Sequence, residues 1–523
     1  MTTILSTPSG VATGPSTASV GCDVTVPLFF RNYVAGTLGA NATFARSSSA
    51  TIVDHEGVIR TVPSGAARFN GLRYVRNLIT LSSENLQVGW GARDGAVITG
   101  QDSVTFGAVG NSRLDRGFIL PAYSQKIIYR VDVKADDAGS VGKVFVLQAI
   151  SGATGGYSVL GSTSYTLTDT YSTIAISFTS HVSDFFVIPL LKCNELTTVK
   201  VNITNVQIEN VTGQTNQNPS EYVSVGVLSA PYHGANVDGV KYFTTENGNT
   251  VTDNVVTEGT GAAITGGYLL MEPAATNLHP LFSDIAAWGG TAGAPSITSN
   301  THIAPDGTLS ADTITDPESG AFSGKFVDLT VAAGTTYVFS VYVKKTQSAA
   351  SFPGLGILLF PSVTFTHVAI NTDTGALTVR TGAAAPANSL VVEGGDYWRV
   401  FIAFGSGTET LMRVAYYAAV NTDASGAWIA SAQGSSVVWG AQLETGTIAT
   451  SPIPTSGTAV TRAAETLSYS GAWTADNETR AITDAGTVDT DDWDGIVDTT
   501  INGADNLAQI TSIDVYTTGE RPA

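Results

Sequence analysis

Two cysteines in 523 residues are too few for a disulfide framework, so Cys22 and Cys193 read as two unpaired buried thiols in a chain folding in a reducing cytosol. Charged residues make up only 13 % of the chain, about half the roughly 25 % usual for globular proteins, and Met is down to 3 while Gly reaches 55. That balance excludes a charge-laced helical protein and favours a turn-rich β protein. Basic residues are also short: Lys+Arg 25 against Asp+Glu 44 leaves −19, a field that repels phosphate backbones and anionic lipid. Nucleic-acid binding is therefore disfavoured. The opening residues Met1 to Gly10 hold no basic n-region and no apolar h-region, and no later stretch approaches about 18 uninterrupted apolar residues. The expectation is a chain neither Sec-exported nor membrane-inserted.

Catalytic signatures are missing as well. There is no G-x-S-x-G, no H-E-x-x-H, no P-loop around Gly142-Lys143 or Gly324-Lys325, and no G-x-G-x-x-G. The six histidines are scattered, and no Cys/His spacing suggests a metal site. No cofactor is expected and the chain reads as a non-enzyme. A glycosidase's carboxylate pair, which two distant strands can supply, leaves no such signature in a sequence.

Period-2 alternation is abundant. Over 336–344 it places Tyr337, Phe339, Val341 and Val343 on one face, and similar runs at 126–134, 171–178, 397–404, 411–420 and 436–444 are separated by Gly, Asp, Asn, Ser and Pro clusters. No sustained 3.6-residue stripe and no heptads occur. The predicted fold is all-β, with tandem antiparallel jelly-roll or β-sandwich domains.

The alternation also repeats with a period near 200 residues. Asn77-Leu78 matches Asn277-Leu278, Tyr129 to Lys134 matches Phe339 to Lys344, and Val206-Gln207-Ile208-Glu209 matches Ala441-Gln442-Leu443-Glu444. Length and repeat together give an extended N-terminal anchoring arm at 1–43, a hairpin lead-in at 44–75, and a first sandwich at 76–225. A second lead-in at 226–275, a second sandwich at 276–456 and a small acidic β region at 457–523 complete the chain.

Three groups of phrases carry a resemblance. They are Ala42 to Asp54 with its Phe44-Ala45-Arg46-Ser47; Gly267-Tyr268-Leu269-Leu270-Met271-Glu272-Pro273 through Leu278; and Val438 to Gly446 with Ser451-Pro452-Ile453-Pro454 and Thr461-Arg462-Ala463-Ala464. Over roughly residues 42–465 the chain resembles tailed-bacteriophage virion proteins that carry carbohydrate-binding-module-like jelly rolls. The resemblance implies a tail fibre, minor tail or head-fibre protein, assembled in the host cytoplasm and carried on the virion. Other virion proteins would bind the arm, and the chain would self-associate, a trimer being common among such fibres. Host-surface glycan is the implied ligand. A decoration protein without glycan binding is the alternative, and a polysaccharide-degrading enzyme, usually a β-helical tailspike in phages, fits less well because no short β-helix repeat is present. Copy one departs from the pattern, with Thr204 and Asn205 where copy two has Trp439 and Gly440.

A sugar site needs an aromatic face and planar polar groups. In copy two, alternation puts Trp398, Val400, Ile402 and Phe404 on a core face and leaves Arg413 and Tyr417 together on one side of their strand. It also sets Gln442 and Glu444 opposite Trp439 and Leu443. Arg413, Tyr417 and Gln442 are the candidate carbohydrate-binding residues. The competing reading is that Trp288, Trp398 and Trp439 are core and the polar set merely solvates an outer face. Separately, residues 463–523 hold 12 acids against Arg480 and Arg521, or −10. Within them Asp489, Asp491, Asp492 and Asp494 are dense enough to chelate calcium, although Trp493 breaks the EF-hand spacing and a solvated acidic turn serves equally.

Overall fold

The computed structural model describes residues 29–32, 42–79, 85–120, 124–152, 157–180, 186–225, 239–246, 250–252, 254–257, 262–264, 268–317, 320–346, 352–421, 427–469, 477–483, 488–489, 499–502 and 509–517. All regular structure among them is β, paired antiparallel. No helix among the described residues is long and apolar enough to cross a membrane.

The alternating runs became strands close to where the sequence puts them: Lys126–Ala135, Ser172–Thr179, Thr336–Lys344, Tyr397–Gly405, Leu411–Asn421 and Gly434–Thr445. Each sandwich encloses its own core. The first is built around Phe106, Tyr129, Phe145 and Ile208, the second around Trp288, Phe339, Val341, Ile402 and Leu443.

Strand order establishes the duplication. One sheet of the first sandwich runs Val159–Thr166, Val144–Ser151, Phe186–Cys193, Ser112–Asp115, Gly91–Arg93; its counterpart runs Phe365–Ile370, Phe352–Phe360, Leu411–Asn421, Gly324–Thr330, Gly290–Ala292, in the same chain order. The facing sheets agree too: Ser172–Thr179, Lys126–Ala135, Val199–Asn210, Ser103–Phe106, Val97–Ile98 against Tyr397–Gly405, Thr336–Lys344, Gly434–Thr445, Leu309–Asp316, Ser296–Ile303.

The repeated Asn has the same task in both copies. Asn77 Nδ2 donates to the carbonyls of Val206 and Val223, and its Oδ1 accepts from the amide of Ile208. Asn277 Nδ2 donates to Ala441 and Ile453, and its Oδ1 accepts from Leu443. One buried amide thus ties the entry of each sandwich to its last strand and closing loop, satisfying backbone groups that the ladders leave unpaired.

A bulge interrupts that last strand in both copies, at Asn205 (φ 53°) and Gly440 (φ 73°). Such left-handed backbone suits Gly or Asn. It also explains a difference from strict alternation: Ala441 and Leu443 face the main core, but Trp439 flips to the far side, against Phe282, Tyr342, Tyr397 and Ile59. A Cβ at Gly440 would sit 2.7 Å from the Tyr342 ring. Gly440→Ala is expected to destabilise the second sandwich by about 1–3 kcal/mol, read as a lower midpoint in denaturant.

The lead-ins do not form two self-contained hairpins. Ala50–Val53 does pair with Ile59–Val62, but Phe69–Asn70 pairs with Tyr268–Leu270, and Arg73–Arg76 with Val240–Phe243. The strand Ala42–Ala45 pairs with Thr466–Tyr469, and Phe29–Asn32 with Gln509–Thr517. Phe44, Ile52, Phe69, Tyr242, Leu269, Met271 and Leu467 share one apolar cluster, so both lead-ins and the region after the second sandwich build one central unit.

Beside that cluster lies a buried ion network. Glu465 accepts from Arg46 NH1 at 2.7 Å, from Arg68 Nε and NH2 at 2.5 and 2.6 Å, and from the amide of Glu272 at 2.9 Å. Glu272 accepts from Arg68 NH2 at 2.8 Å and from the amide and hydroxyl of Ser451, with Arg462 3.3 Å away. Arg46, Glu272, Ser451 and Arg462 each come from one of the phrases singled out in the sequence, and the network is where those phrases meet.

Acid weakens this arrangement. Burial would raise the Glu272 carboxyl, but Arg68 and Arg462 outweigh it and hold it at about 2, against an ordinary value of 4.5. Burial takes His279, packed on Trp288 at 4.5 Å, from 6.5 down to about 3. Both groups bind protons more readily in the unfolded chain, so stability is fullest above about pH 6.5 and falls as the pH drops towards 3. Melting temperatures should decline across that window, and His279→Leu should flatten the part of the slope between pH 6.5 and 3.

Candidate functional site

The two sheets of the second sandwich differ in what lies outside them. The sheet holding Thr336–Lys344 is covered, because Val338, Phe401 and Ala403 pack against Ala449 of the closing loop and Trp439 packs against Ile59 of the first lead-in. The opposite sheet, with Leu411–Asn421 at its centre, carries the site.

On that outer face, period 2 turns Arg413, Ala415 and Tyr417 away from the core that Met412, Val414 and Tyr416 enter, with Ala415 itself buried beneath its neighbours. Register extends the rows across the sheet. Phe326, Ala415, Gly356 and His367 are neighbours in one row, and Gly324, Tyr417 and Gly354 in the next. The small residues form a floor on which rings lie. A Cβ on Gly354 would come within 2.8 Å of the Trp428 ring, and one on Gly356 within 2.5 Å of His367, so both glycines are there for close approach.

Trp428 enters from the segment after the strand and organises an aromatic platform. Its ring stacks on His367 at 4.8 Å and 10° and meets Tyr417 edge-on at 5.3 Å and Phe322 at 5.6 Å. Offset and edge-on pairs of this kind fix ring orientation as well as burying area. Arg380 lies 4.9 Å from the Trp428 centroid and donates to His367 Nδ1 at 3.1 Å. Burial, reinforced by Arg380, lowers His367 to about 3, so the imidazole is neutral and Nδ1 is free to accept. At the other end Arg413 stacks on Phe326 at 3.6 Å and forms a bidentate pair with Asp328 at 2.7 and 2.9 Å. That pairing raises the Arg413 guanidinium further.

Of the three residues predicted to bind sugar, two share this face. Arg413 and Tyr417 flank Ala415 on one strand, both half-buried. Gln442 does not join them. It is wholly buried on the covered side of the opposite sheet, where Oε1 accepts from the amide of Ile453 at 2.7 Å and Nε2 donates to Glu444. Gln207 does the same in copy one, accepting from Val223 at 2.7 Å. The Gln-x-Glu pair is a staple for the closing loop, and its presence in both copies is the signal that it is structural. Trp288 and Trp439 are buried and Trp398 partly so, as the core reading expected. Trp428, His367, Arg380 and Phe326 were not legible as site residues.

Among the described residues copy one shows no such platform. The matching outer face presents Val146, Gln148, Leu190, Lys192 and Arg113. The predicted calcium ligands Asp491, Asp492 and Asp494 lie outside the described residues, as does the side chain of Asp489, which ends the strand Val488–Asp489. Among the described residues no group of three or more His, Cys, Asp or Glu is placed to hold a metal. Cys193 is free and buried; Cys22 is outside the described residues. The larger concavities lie elsewhere, notably a cleft of about 340 Å³ where Tyr342, Leu390, Val392 and Arg399 face Val53 and Leu270 of the central unit. None of the residues lining that cleft belongs to the platform.

These features define an all-β protein of two tandem sandwiches, one of which carries an aromatic platform on an open sheet. No protein-family model matches the sequence, and the search of curated proteins gave no match. Among solved structures the chain is similar to the CBM22-1–CBM22-2 tandem domain of Paenibacillus barcinonensis Xyn10C, at 12 % identity over 71 % of this chain and 98 % of that one, with a TM-score of 0.24. A CBM4 structure is similar at 13 % identity over 23 % of this chain and 78 % of that one, with a TM-score of 0.19. The ANXUR2 extracellular domain of Arabidopsis thaliana follows at 10 % identity over 79 % and 99 %, also with a TM-score of 0.19. Scores this low identify no shared function.

Proposed function

We propose that the protein is a non-enzymatic component of a tailed-bacteriophage particle, assembled in the host cytoplasm, that holds a host-surface glycan on the open sheet of its second sandwich. The observation that carries the glycan part is the platform of Tyr417, Trp428 and Phe326 over a glycine and alanine floor, with Arg380 and Arg413 at its ends. Partly exposed rings stack on the apolar face of a sugar, and guanidinium forks bond its hydroxyls. Asp328, which shares the face, is committed to Arg413, which supports binding over hydrolysis. The virion part rests on the sequence resemblance. Attachment through the N-terminal arm and self-association into a trimer belong to the same proposal, since several copies on one particle turn weak sugar contacts into avidity.

A second reading, a decoration or head-fibre protein without a ligand, is favoured by one feature of the first sandwich. Ile119 and Phe186, opposite each other in register, are exposed at the end of the sheet where Tyr157 and Val159 are also exposed, an apolar edge that a neighbouring subunit would cover. A glycan array probed with the full-length protein and with Trp428→Ala separates the two. Binding lost in the variant supports the adhesin; a blank array with the wild type supports the decoration protein.

A further inference from the structure

On the reading that the platform binds glycan, we infer that its ligand is an acidic glycan whose carboxylate is taken by Arg380. The chain carries 44 acidic residues against 25 basic ones, yet the two arginines of the platform differ in their partners. Arg413 at one end of the platform has its acid, Asp328. Arg380 at the other end has none: among the described residues no carboxylate lies within ion-pair distance of it, and its guanidinium donates to His367 Nδ1. Three rings hold it from around, with its Cζ 4.9 Å from the Trp428 centroid and 5.5 Å from those of Phe322 and Phe365.

A guanidinium has five N–H donors in a rigid fork that matches a carboxylate. Here the rings and the imidazole fix that fork in advance, so little side-chain freedom remains to be lost when an anion arrives. His367 cannot supply the missing negative charge, since an imidazole is neutral or cationic; held neutral by burial, it accepts from the guanidinium and orients it. A hexuronate or a sialic acid lying across Tyr417 and Trp428 projects its carboxylate from the ring edge, within the plane of stacking, where a cation beside the platform meets it. A neutral sugar would leave Arg380 without a counter-charge.

The test compares oligogalacturonates, the same oligomers after carboxyl reduction, and sialyllactose with lactose, against full-length wild type, Arg380→Met and Arg380→Lys at two salt concentrations. Methionine keeps an apolar stem on Trp428 without the charge. The expected result is that wild type binds at least one carboxylated ligand about tenfold or more tightly than its neutral counterpart, and more weakly in high salt. Arg380→Met should remove the preference, weakening the carboxylated ligand far more than its neutral counterpart, and Arg380→Lys should keep part of it. Which carboxylated series binds identifies the source of the acid. Equal binding of acidic and neutral forms by wild type, or a preference that survives in Arg380→Met, overturns the inference and leaves glycan binding standing. No binding of any sugar, on this panel or on the array, overturns both.

Discussion

Replacing Glu465 with glutamine is expected to cost the central unit about 3–5 kcal/mol, the usual consequence of breaking a buried ion pair by removing one partner. The carboxylate of Glu465 is the shared acceptor for Arg46 and Arg68, all three buried, and it also receives the amide of Glu272. Glutamine keeps the shape and one acceptor oxygen but removes the charge and turns an NH2 towards buried donors, leaving Glu272 as the one carboxylate paired with Arg68 and none paired with Arg46. The cost should hardly change with salt, since solvent does not reach the network. Asp328→Asn on the open sheet is the natural comparison. Its pair with Arg413 is bidentate but partly exposed, and its loss should cost no more than about 1 kcal/mol and be salt-sensitive. Calorimetry should show the Glu465→Gln defect in a transition distinct from those of the two sandwiches, whose cores are separate. A change below about 1 kcal/mol would mean that the network does not hold the lead-ins together.

Trp428→Ala should weaken glycan binding by roughly 2 kcal/mol or more, about 30-fold in Kd, with little change in the melting of the second sandwich. The ring is a hub: it stacks on His367, meets Tyr417 and Phe322, and seats Arg380. Its removal takes away a stacking surface and frees the cation at once, so the loss should exceed that of Tyr417→Ala, which leaves the Trp428, His367 and Arg380 group intact. Fold stability should suffer little, because Trp428 belongs to a small outer cluster with Phe352, Ala369 and Val420 rather than to the main core. Equal affinity in wild type and variant would remove the platform from the account.

Much of the fold was legible because each sandwich strand alternates strictly enough to declare its core face, as Thr336–Lys344 and Tyr397–Gly405 do. The central unit was not. Its strands are two to four residues long over the lead-ins, too short to show a period, and their partners lie far off in sequence, as with Arg46 and Glu465, 419 residues apart. Spacing also misled at Gly440, where one bulged residue sends Trp439 to the other side of its strand. At the site, alternation placed Arg413 and Tyr417 together but could not tell the open sheet from the covered one, so Gln442 looked like a companion. Trp428 stands outside any strand, and no pattern points to it. The readable clue was Gly354 and Gly356, two glycines on one face of an apolar strand, a sign of something packed close above.

The most direct test is a structure of the full-length protein with an oligosaccharide identified on the array. The expected result is a sugar ring against the outward sides of Tyr417 and Trp428, above the rings that cover Gly354 and Gly356, with Arg380 and Arg413 at its two ends. A sugar seated instead on the first sandwich, or in the cleft between Arg399 and the central unit, would contradict it.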